Sequence, residues 1–205
     1  MIKNVVFDWS GVISNDIKVV HKALLIVFEK LGIKKISLRQ FREEFELPYT
    51  KFYEKYARGV SDDVLVSLYT KAIHSVEEPE MFRGVKNVLE FLRSNGIRMA
   101  VLSTHMKTKL DKEIINYGLE GFFVSVKGNI HDKTDELVNL MKECKFDPRE
   151  TAYVGDMAHD IEVGKKAKVL TVGVSWGYYS NERLAKSRPD VMIDNISEIK
   201  RIIGK

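Results

Sequence analysis

The stretch NVVFDWSG, residues 4–11, runs from apolar residues straight into a carboxylate, Asp8. The stretch YVGDMAHD, residues 153–160, repeats that arrangement at Asp156 and adds Asp160 one helical turn later. Short runs rich in β-branched residues are typical of buried strands. A carboxylate that closes such a strand is costly unless the strand end opens to a site. The two stretches therefore predict two strand ends that carry polar chemistry.

Further apolar runs with strand character alternate with helical patterns along the chain. The predicted strands are Asn4–Phe7, Arg98–Leu102, Phe122–Val126, Thr151–Val154, Val169–Val174 and Asp190–Ile193. Between most of them lie apolar stripes at helical spacing, such as Leu137, Leu140, Met141 and Cys144. Strands that alternate with helices predict an α/β fold, a doubly wound parallel sheet covered on both faces.

One segment interrupts this alternation, because no convincing strand lies between Asn15 and Pro79. Helical spacing of apolar residues and a capping pattern that begins at Ser37 predict several helices there. We therefore expect an inserted helical domain at residues 15–79 and a core domain made of residues 1–14 and 80–205.

Composition excludes several classes of protein. The 205 residues include 33 Lys and Arg against 29 Asp and Glu, a net charge of +4 without a basic stripe, so no nucleic-acid partner is expected. No apolar run approaches the ~20 residues that span a bilayer, so no membrane partner is expected either. A single cysteine, Cys144, excludes an intrachain disulfide. We expect a cytoplasmic protein; nothing in the sequence predicts its oligomeric state.

The carboxylates suggest a metal site. Mg²⁺ prefers hard oxygen ligands and keeps several waters, which suits Asp8, Asp156 and Asp160 if the strand ends converge. Each segment also has a plainer interpretation, since Asp8 could be a turn residue and acids are common at helix starts. Ser103, after a strand, and Lys133, at a helix start, could bind an anion, although such residues are more often solvated.

Taken in order, these four segments resemble the four motifs of the haloacid dehalogenase superfamily, across almost the whole chain. Its members are mainly Mg²⁺-dependent phosphatases with a Rossmann-like core. The helical insert resembles the mobile cap of phosphoglycolate phosphatases and phosphoglucomutases. The string GVSWG, residues 173–177, is similar to the family's common ending.

The resemblance implies a role for each motif residue. Asp8 is the implied nucleophile, which would form an aspartyl phosphate. The implied Mg²⁺ ligands are Asp8, Asp156, the backbone carbonyl of Ser10 and, directly or through water, Asp160. The implied phosphoryl-binding residues are Ser103, Thr104 and Lys133. The resemblance also implies that the strands before Asp8 and Asp156 are neighbours.

One departure from the family pattern concerns Ser10. Phosphatases of this family usually carry a second Asp there, which protonates the leaving oxygen and then activates water. A serine hydroxyl does not ionise near pH 7, and general acid–base help is typically worth ~10²–10⁴-fold. Either the aspartyl phosphate persists and turnover is slow, or another group compensates; His105 and His159 are the candidates.

Two other accounts of Ser10 remain open. The string DWSG is similar to the DWAG of phosphonoacetaldehyde hydrolases, which cleave a C–P bond with a cap lysine that forms an imine. Lys51 is the candidate for that lysine, and Lys55 lies nearby. The chain could also bind a phosphorylated ligand without turning it over. Haloacid dehalogenation does not fit, because that branch manages without the metal pattern kept here.

Substrate recognition is expected in the helical insert. Its polar and basic candidates, near a loop between helices, are Tyr49, Lys51, Lys55 and Arg58. A cap that closes over the site favours small phosphorylated metabolites over proteins or nucleic acids.

Overall fold

The computed structural model describes residues 1–46, 49–130 and 132–204. The chain divides into two compact units, one made of Met1–Asn15 with Glu80–Lys205 and the other of Asp16–Pro79. Within the described ranges, no helix is both long and apolar enough to cross a bilayer.

The larger unit is built on a six-stranded parallel sheet. In chain order its strands are β1 (Asn4–Phe7), β4 (Arg98–Leu102), β5 (Ser125–Lys127), β6 (Thr151–Gly155), β7 (Leu170–Val174) and β8 (Val191–Ile193). Their order across the sheet is β5-β4-β1-β6-β7-β8, so β1 lies between β4 and β6. Two short strands, β2 (Ser14–Asn15) and β3 (Glu80–Met81), form a separate antiparallel pair. The prediction of a doubly wound parallel sheet is confirmed.

The helices are distributed between the two units. In chain order they are α1 (Ile17–Lys30), α2 (Leu38–Glu44), α3 (Tyr49–Tyr56), α4 (Asp62–His74), α5 (Val85–Ser94), α6 (Lys107–Asn116), α7 (Lys133–Cys144), α8 (Ala158–Lys166), α9 (Asn181–Ala185) and α10 (Ile199–Ile203). The first four belong to the smaller unit and the others to the larger one.

Alternate residues of the strands bury their side chains on opposite faces of the sheet. Val5 and Phe7 join one apolar cluster, to which α5, α6 and α10 contribute. Val6 joins the other cluster, to which α7 and α8 contribute. Helices therefore cover both faces, which explains why the strands read as continuous apolar runs.

The prediction for the third strand is wrong at its start, because β5 begins at Ser125 and not at Phe122. Phe122 lies in a turn, where its N–H donates to the Leu119 carbonyl, and its ring is buried in the core. The ring of Phe123 meets Trp9 edge-on. These aromatic side chains pack in the core although they lie outside the strand. In the sequence, such an apolar run looks the same as the start of a buried strand.

The smaller unit holds its helices together with an aromatic cluster. Phe52 lies at its centre and contacts Phe28, Phe41, Phe45 and Tyr56. The start predicted near Ser37 is confirmed, since Ser37 Oγ caps α2 by accepting a hydrogen bond from the Gln40 N–H.

Candidate active site

Three carboxylates meet at the carboxyl ends of the central strands. Asp8 follows β1 and Asp156 follows β6, and these strands pair in parallel with Phe7 opposite Val154. Asp160 lies in the first turn of α8. All three side chains are buried, and each offers an oxygen within 4.8 Å of the others. The expectation that the strands before Asp8 and Asp156 are neighbours is confirmed.

Lys133 inserts its ammonium between two of these carboxylates. It begins α7, which Asp132 caps by accepting a hydrogen bond from the Thr134 N–H at 2.8 Å. Lys133 Nζ lies 2.8 Å from Asp8 Oδ2 and 2.8 Å from Asp160 Oδ1. The side chain is fully buried, so the plainer interpretation of a solvated lysine does not apply.

Asp160 already uses both of its carboxylate oxygens. Oδ1 accepts hydrogen bonds from Lys133 Nζ and from the buried Tyr153 hydroxyl at 3.0 Å. Oδ2 accepts from the Met157 N–H at 3.1 Å. These bonds orient the carboxylate so that it holds Lys133 against Asp8.

Asp156 has one oxygen bound and one open. Oδ2 accepts a hydrogen bond from the Tyr178 N–H at 2.5 Å, whereas Oδ1 has no hydrogen-bond partner within the described ranges although it is buried. A Cβ added to Gly11, whose φ is +74°, would clash with this carboxylate. A buried carboxylate oxygen without a donor, next to two more carboxylates, suits a divalent cation.

The electrostatics of the site also suit a cation. Burial raises the pKa of Asp8 above its usual value of 3.8, and the Lys133 ammonium offsets only part of that rise. Burial raises the pKa of Asp156 further, and the charges of Asp160 and Asp8 add to the rise. Burial lowers the pKa of Lys133, but Asp160 and Asp8 outweigh it and raise that pKa. Three buried carboxylates thus face one ammonium, an excess of negative charge that a divalent cation would balance.

Ser103 directly follows β4, the strand that pairs with β1, and is fully buried. Its backbone N–H donates to the Lys127 carbonyl at 2.9 Å, so only the hydroxyl of Ser103 is left to bind an anion. Ser103 Oγ accepts from the His105 N–H at 3.2 Å, and the hydroxyl keeps its own proton to donate. Thr104 follows and is half-buried.

Ser10 contacts one of the two histidines that could compensate for it. Ser10 Oγ lies 3.4 Å from His105 Nδ1, and His105 Nε2 lies 3.0 Å from Glu113 Oε1. Glu113 Oε2 accepts a hydrogen bond from Trp9 Nε1 at 2.6 Å. His159 is half-buried in the first turn of α8.

The substrate candidates of the helical insert lie in the smaller unit. Tyr49, Lys51 and Lys55 belong to α3, and Arg58 follows it; all four are exposed. Lys55 Nζ forms an ion pair with Glu44 Oε2 at 2.5 Å.

Sequence reasoning missed two residues, Glu113 and Tyr153. Glu113 is 3% exposed and lies on the buried stripe of α6 with Leu110 and Ile114. A glutamate at an apolar position of a helical stripe was a usable signal, because such a group is rarely buried without a partner. Tyr153 gave no signal, since a tyrosine in a strand usually serves packing.

The comparisons with known proteins agree with this geometry. The sequence model of the haloacid dehalogenase-like hydrolases matches residues 5–174. The chain is 28% identical to the pyrophosphatase PpaX of Bacillus velezensis over 177 residues, covering 80% of this chain and 82% of that protein. It is 23% identical to the PpaX of Listeria monocytogenes, covering 98% and 96%. A haloacid dehalogenase-like hydrolase from Streptococcus pneumoniae, SP0104, has the same fold, with a TM-score of 0.85, 18% identity and 98% of both chains covered.

Proposed function

The chain belongs to the haloacid dehalogenase-like hydrolases, and we propose that it is a Mg²⁺-dependent phosphohydrolase of small phosphorylated metabolites, with Asp8 as its nucleophile. The observation that carries this proposal is the burial of the Asp8 carboxylate against the Lys133 ammonium, beside Asp156 and Asp160. Phosphoryl transfer needs a positioned nucleophile and neutralised phosphoryl oxygens more than it needs covalent chemistry from the protein.

Asp8 is held in one orientation. The Trp9 N–H donates to Asp8 Oδ1 at 2.7 Å, and Lys133 holds Oδ2. The carboxylate attacks phosphorus and forms an acyl phosphate, while Lys133 and the Ser103 hydroxyl bind phosphoryl oxygens. Thr104, next to Ser103, contributes to the same anion site.

We assign the metal site to Asp8, Asp156 and the Ser10 carbonyl, with Asp160 acting directly or through water. When bound, Mg²⁺ supplies positive charge that neutralises phosphoryl oxygens. The open Oδ1 of Asp156 and the excess negative charge of the cluster support this assignment. The hydrogen bonds already made by Asp160 favour its indirect participation.

We also propose that the helical unit serves as a cap and supplies substrate contacts, with Tyr49, Lys51, Lys55 and Arg58 as the candidates. The relatives named as pyrophosphatases suggest pyrophosphate as one substrate to examine.

The experiment is a panel of phosphate esters and pyrophosphate, with release of inorganic phosphate as the measurement. We expect release that requires Mg²⁺, that EDTA stops and that Asp8→Asn abolishes. Asp111→Asn is the matched control, because Asp111 is an exposed carboxylate in α6 paired with Lys107. No release by the wild-type protein from any member of the panel, or full turnover by Asp8→Asn, would overturn the proposal.

Phosphonoacetaldehyde belongs in the same panel, since it tests the imine account of Ser10. That account predicts that borohydride traps a covalent adduct on Lys51 and that Lys51→Arg prevents it. Absence of an adduct on any lysine would leave phosphate-ester hydrolysis as the sole account of catalysis.

A further inference from the structure

Hydrolysis through an acyl phosphate needs two proton transfers that the carboxylate cluster is poorly placed to make. The leaving oxygen must gain a proton, and the attacking water must then lose one. Asp8 is the nucleophile, and Asp160 accepts hydrogen bonds at both oxygens. Asp156 belongs to the proposed metal site. A separate group must therefore carry the protons.

His105 is placed for that role by Glu113. Burial raises the pKa of Glu113, but hydrogen bonds and charge from His105 and a hydrogen bond from Trp9 outweigh burial and hold it below its usual value. Glu113 is therefore an ionised carboxylate, 3.0 Å from His105 Nε2. An anion at Nε2 keeps the proton on that nitrogen, so Nδ1 is the nitrogen that exchanges a proton.

His105 Nδ1, the nitrogen that exchanges the proton, faces the loop after β1 that carries Asp8. His105 Nδ1 lies 3.4 Å from Ser10 Oγ, and Ser10 is two residues after Asp8. Because β1 and β4 are neighbours in the sheet, the loops that follow them lie side by side. The His105 side chain is 16% exposed, so it is held by protein and still reached by solvent.

We propose that His105, held by Glu113, is the acid–base group of this chain and that it moves protons through the Ser10 hydroxyl. This inference rests on the proposed function. It assigns Glu113 as a positioning residue, because Glu113 acts through His105. It also gives Ser10 a chemical role, the relay of protons, for which the hydroxyl does not need to be ionised.

The two half-reactions balance as follows. In the first, Asp8 Oδ bonds to phosphorus and the bond from phosphorus to the leaving oxygen breaks. The Ser10 hydroxyl gives its proton to that oxygen and takes one from His105 Nδ1–H. In the second, water bonds to phosphorus and the bond from phosphorus to Asp8 breaks. Phosphate is released by this cleavage. The water proton passes through the Ser10 hydroxyl to His105 Nδ1, and this transfer restores the imidazolium.

The test uses p-nitrophenyl phosphate, whose leaving group needs little protonation. In His105→Ala, phosphorylation of Asp8 stays fast while water activation is lost. We expect a burst of p-nitrophenol equal to the enzyme concentration, then a steady rate lowered by about 10²-fold. The wild type and the control His74→Ala, which changes an exposed histidine of α4, should show no burst.

Three further variants separate chemistry from folding. His105→Gln keeps a polar side chain at this position. Ser10→Ala and Glu113→Gln each remove one member of the proposed proton relay. All three variants should show the burst and should keep a cooperative unfolding transition. An unchanged steady rate without a burst in His105→Ala or His105→Gln would overturn the assignment. If Asp8→Asn is still inactive in that case, the proposed function stands; if the wild type releases no phosphate, the proposed function itself fails.

Discussion

Lys133 Nζ lies 2.8 Å from Asp160 Oδ1, and both side chains are almost wholly shielded from solvent, with 1% and 2% of their surfaces exposed. A second donor also holds Asp160, since the Tyr153 hydroxyl donates to the same carboxylate oxygen. Removing one partner of a buried ion pair is strongly destabilising, because the other charge stays buried without compensation.

Lys133→Met should therefore lower the free energy of unfolding by about 3 kcal/mol and abolish turnover. The substitution leaves Asp8 and Asp160 buried without their cation. Urea unfolding in EDTA measures the change. Lys107→Met, which breaks a half-exposed ion pair with Asp111, should cost less than about 1 kcal/mol. Equal losses in the two variants would contradict the burial argument.

Asp156→Ala should abolish activity and leave the fold intact. Mg²⁺ should raise the unfolding temperature of the wild type, because it binds the folded chain, and should not raise that of Asp156→Ala. Thermal unfolding with Mg²⁺ and with EDTA measures this difference. Asp111→Ala is the control and should respond to Mg²⁺ like the wild type. An equal response in Asp156→Ala would remove Asp156 from the metal site.

Gly11→Ala should lower the free energy of unfolding by more than the cost of placing alanine at a positive φ. Gly11 has a φ of +74° and its added Cβ would clash with Asp156, whereas Gly121 has a φ of +73° and open space around it. Gly121→Ala therefore measures the cost of the conformation alone, about 1–2 kcal/mol. We expect Gly11→Ala to lose more stability than this, and to lose Mg²⁺ binding as well. Equal losses in urea unfolding would show that the close approach to Asp156 is unimportant.

Ser10→Asp should lower the steady rate of phosphate release. A carboxylate at this position would face His105 Nδ1 and hold its proton, and it would add a further acid beside Asp8. We expect a loss of about 10²-fold, as for other damage to an acid–base group. A higher rate in Ser10→Asp would mean that the chain lacks a working acid–base group and that His105 does not supply one.

Glu113 should stabilise the fold in a pH-dependent way. Its pKa in the folded chain is below the usual 4.5, so its contribution is present above that pH and is lost as pH falls through the lower, folded value. Glu113→Gln should therefore cost about 2 kcal/mol at pH 7, and the two proteins should converge in acid, once the pH is below the lowered pKa of Glu113. Urea unfolding at both pH values tests this, and a difference that persists unchanged in acid would contradict it.

Local pattern determined most of the fold. Five of the six predicted strands begin within one residue of the observed strands, because buried parallel strands are continuous apolar runs and the helices between them keep their own period. The sixth, at Phe122–Val126, failed at its start because apolar residues in a packed turn look like strand residues. The adjacency of the strands before Asp8 and Asp156 was anticipated only from the resemblance of the motifs to the haloacid dehalogenase superfamily, and the sheet confirms it.

The partners of the site residues were decided by tertiary structure alone. A sequence shows that Lys133, Asp160 and Glu113 can each be charged, but not which opposite group each one meets. Lys133 is buried only because the start of α7 packs where Asp8 and Asp160 already converge. Glu113 holds His105 only because α6 packs beneath the loop after β1, where Trp9 reaches it. Periodicity assigns a side chain to a face of its own element; its contacts depend on segments distant in the chain, which only the packed fold brings within hydrogen-bonding distance.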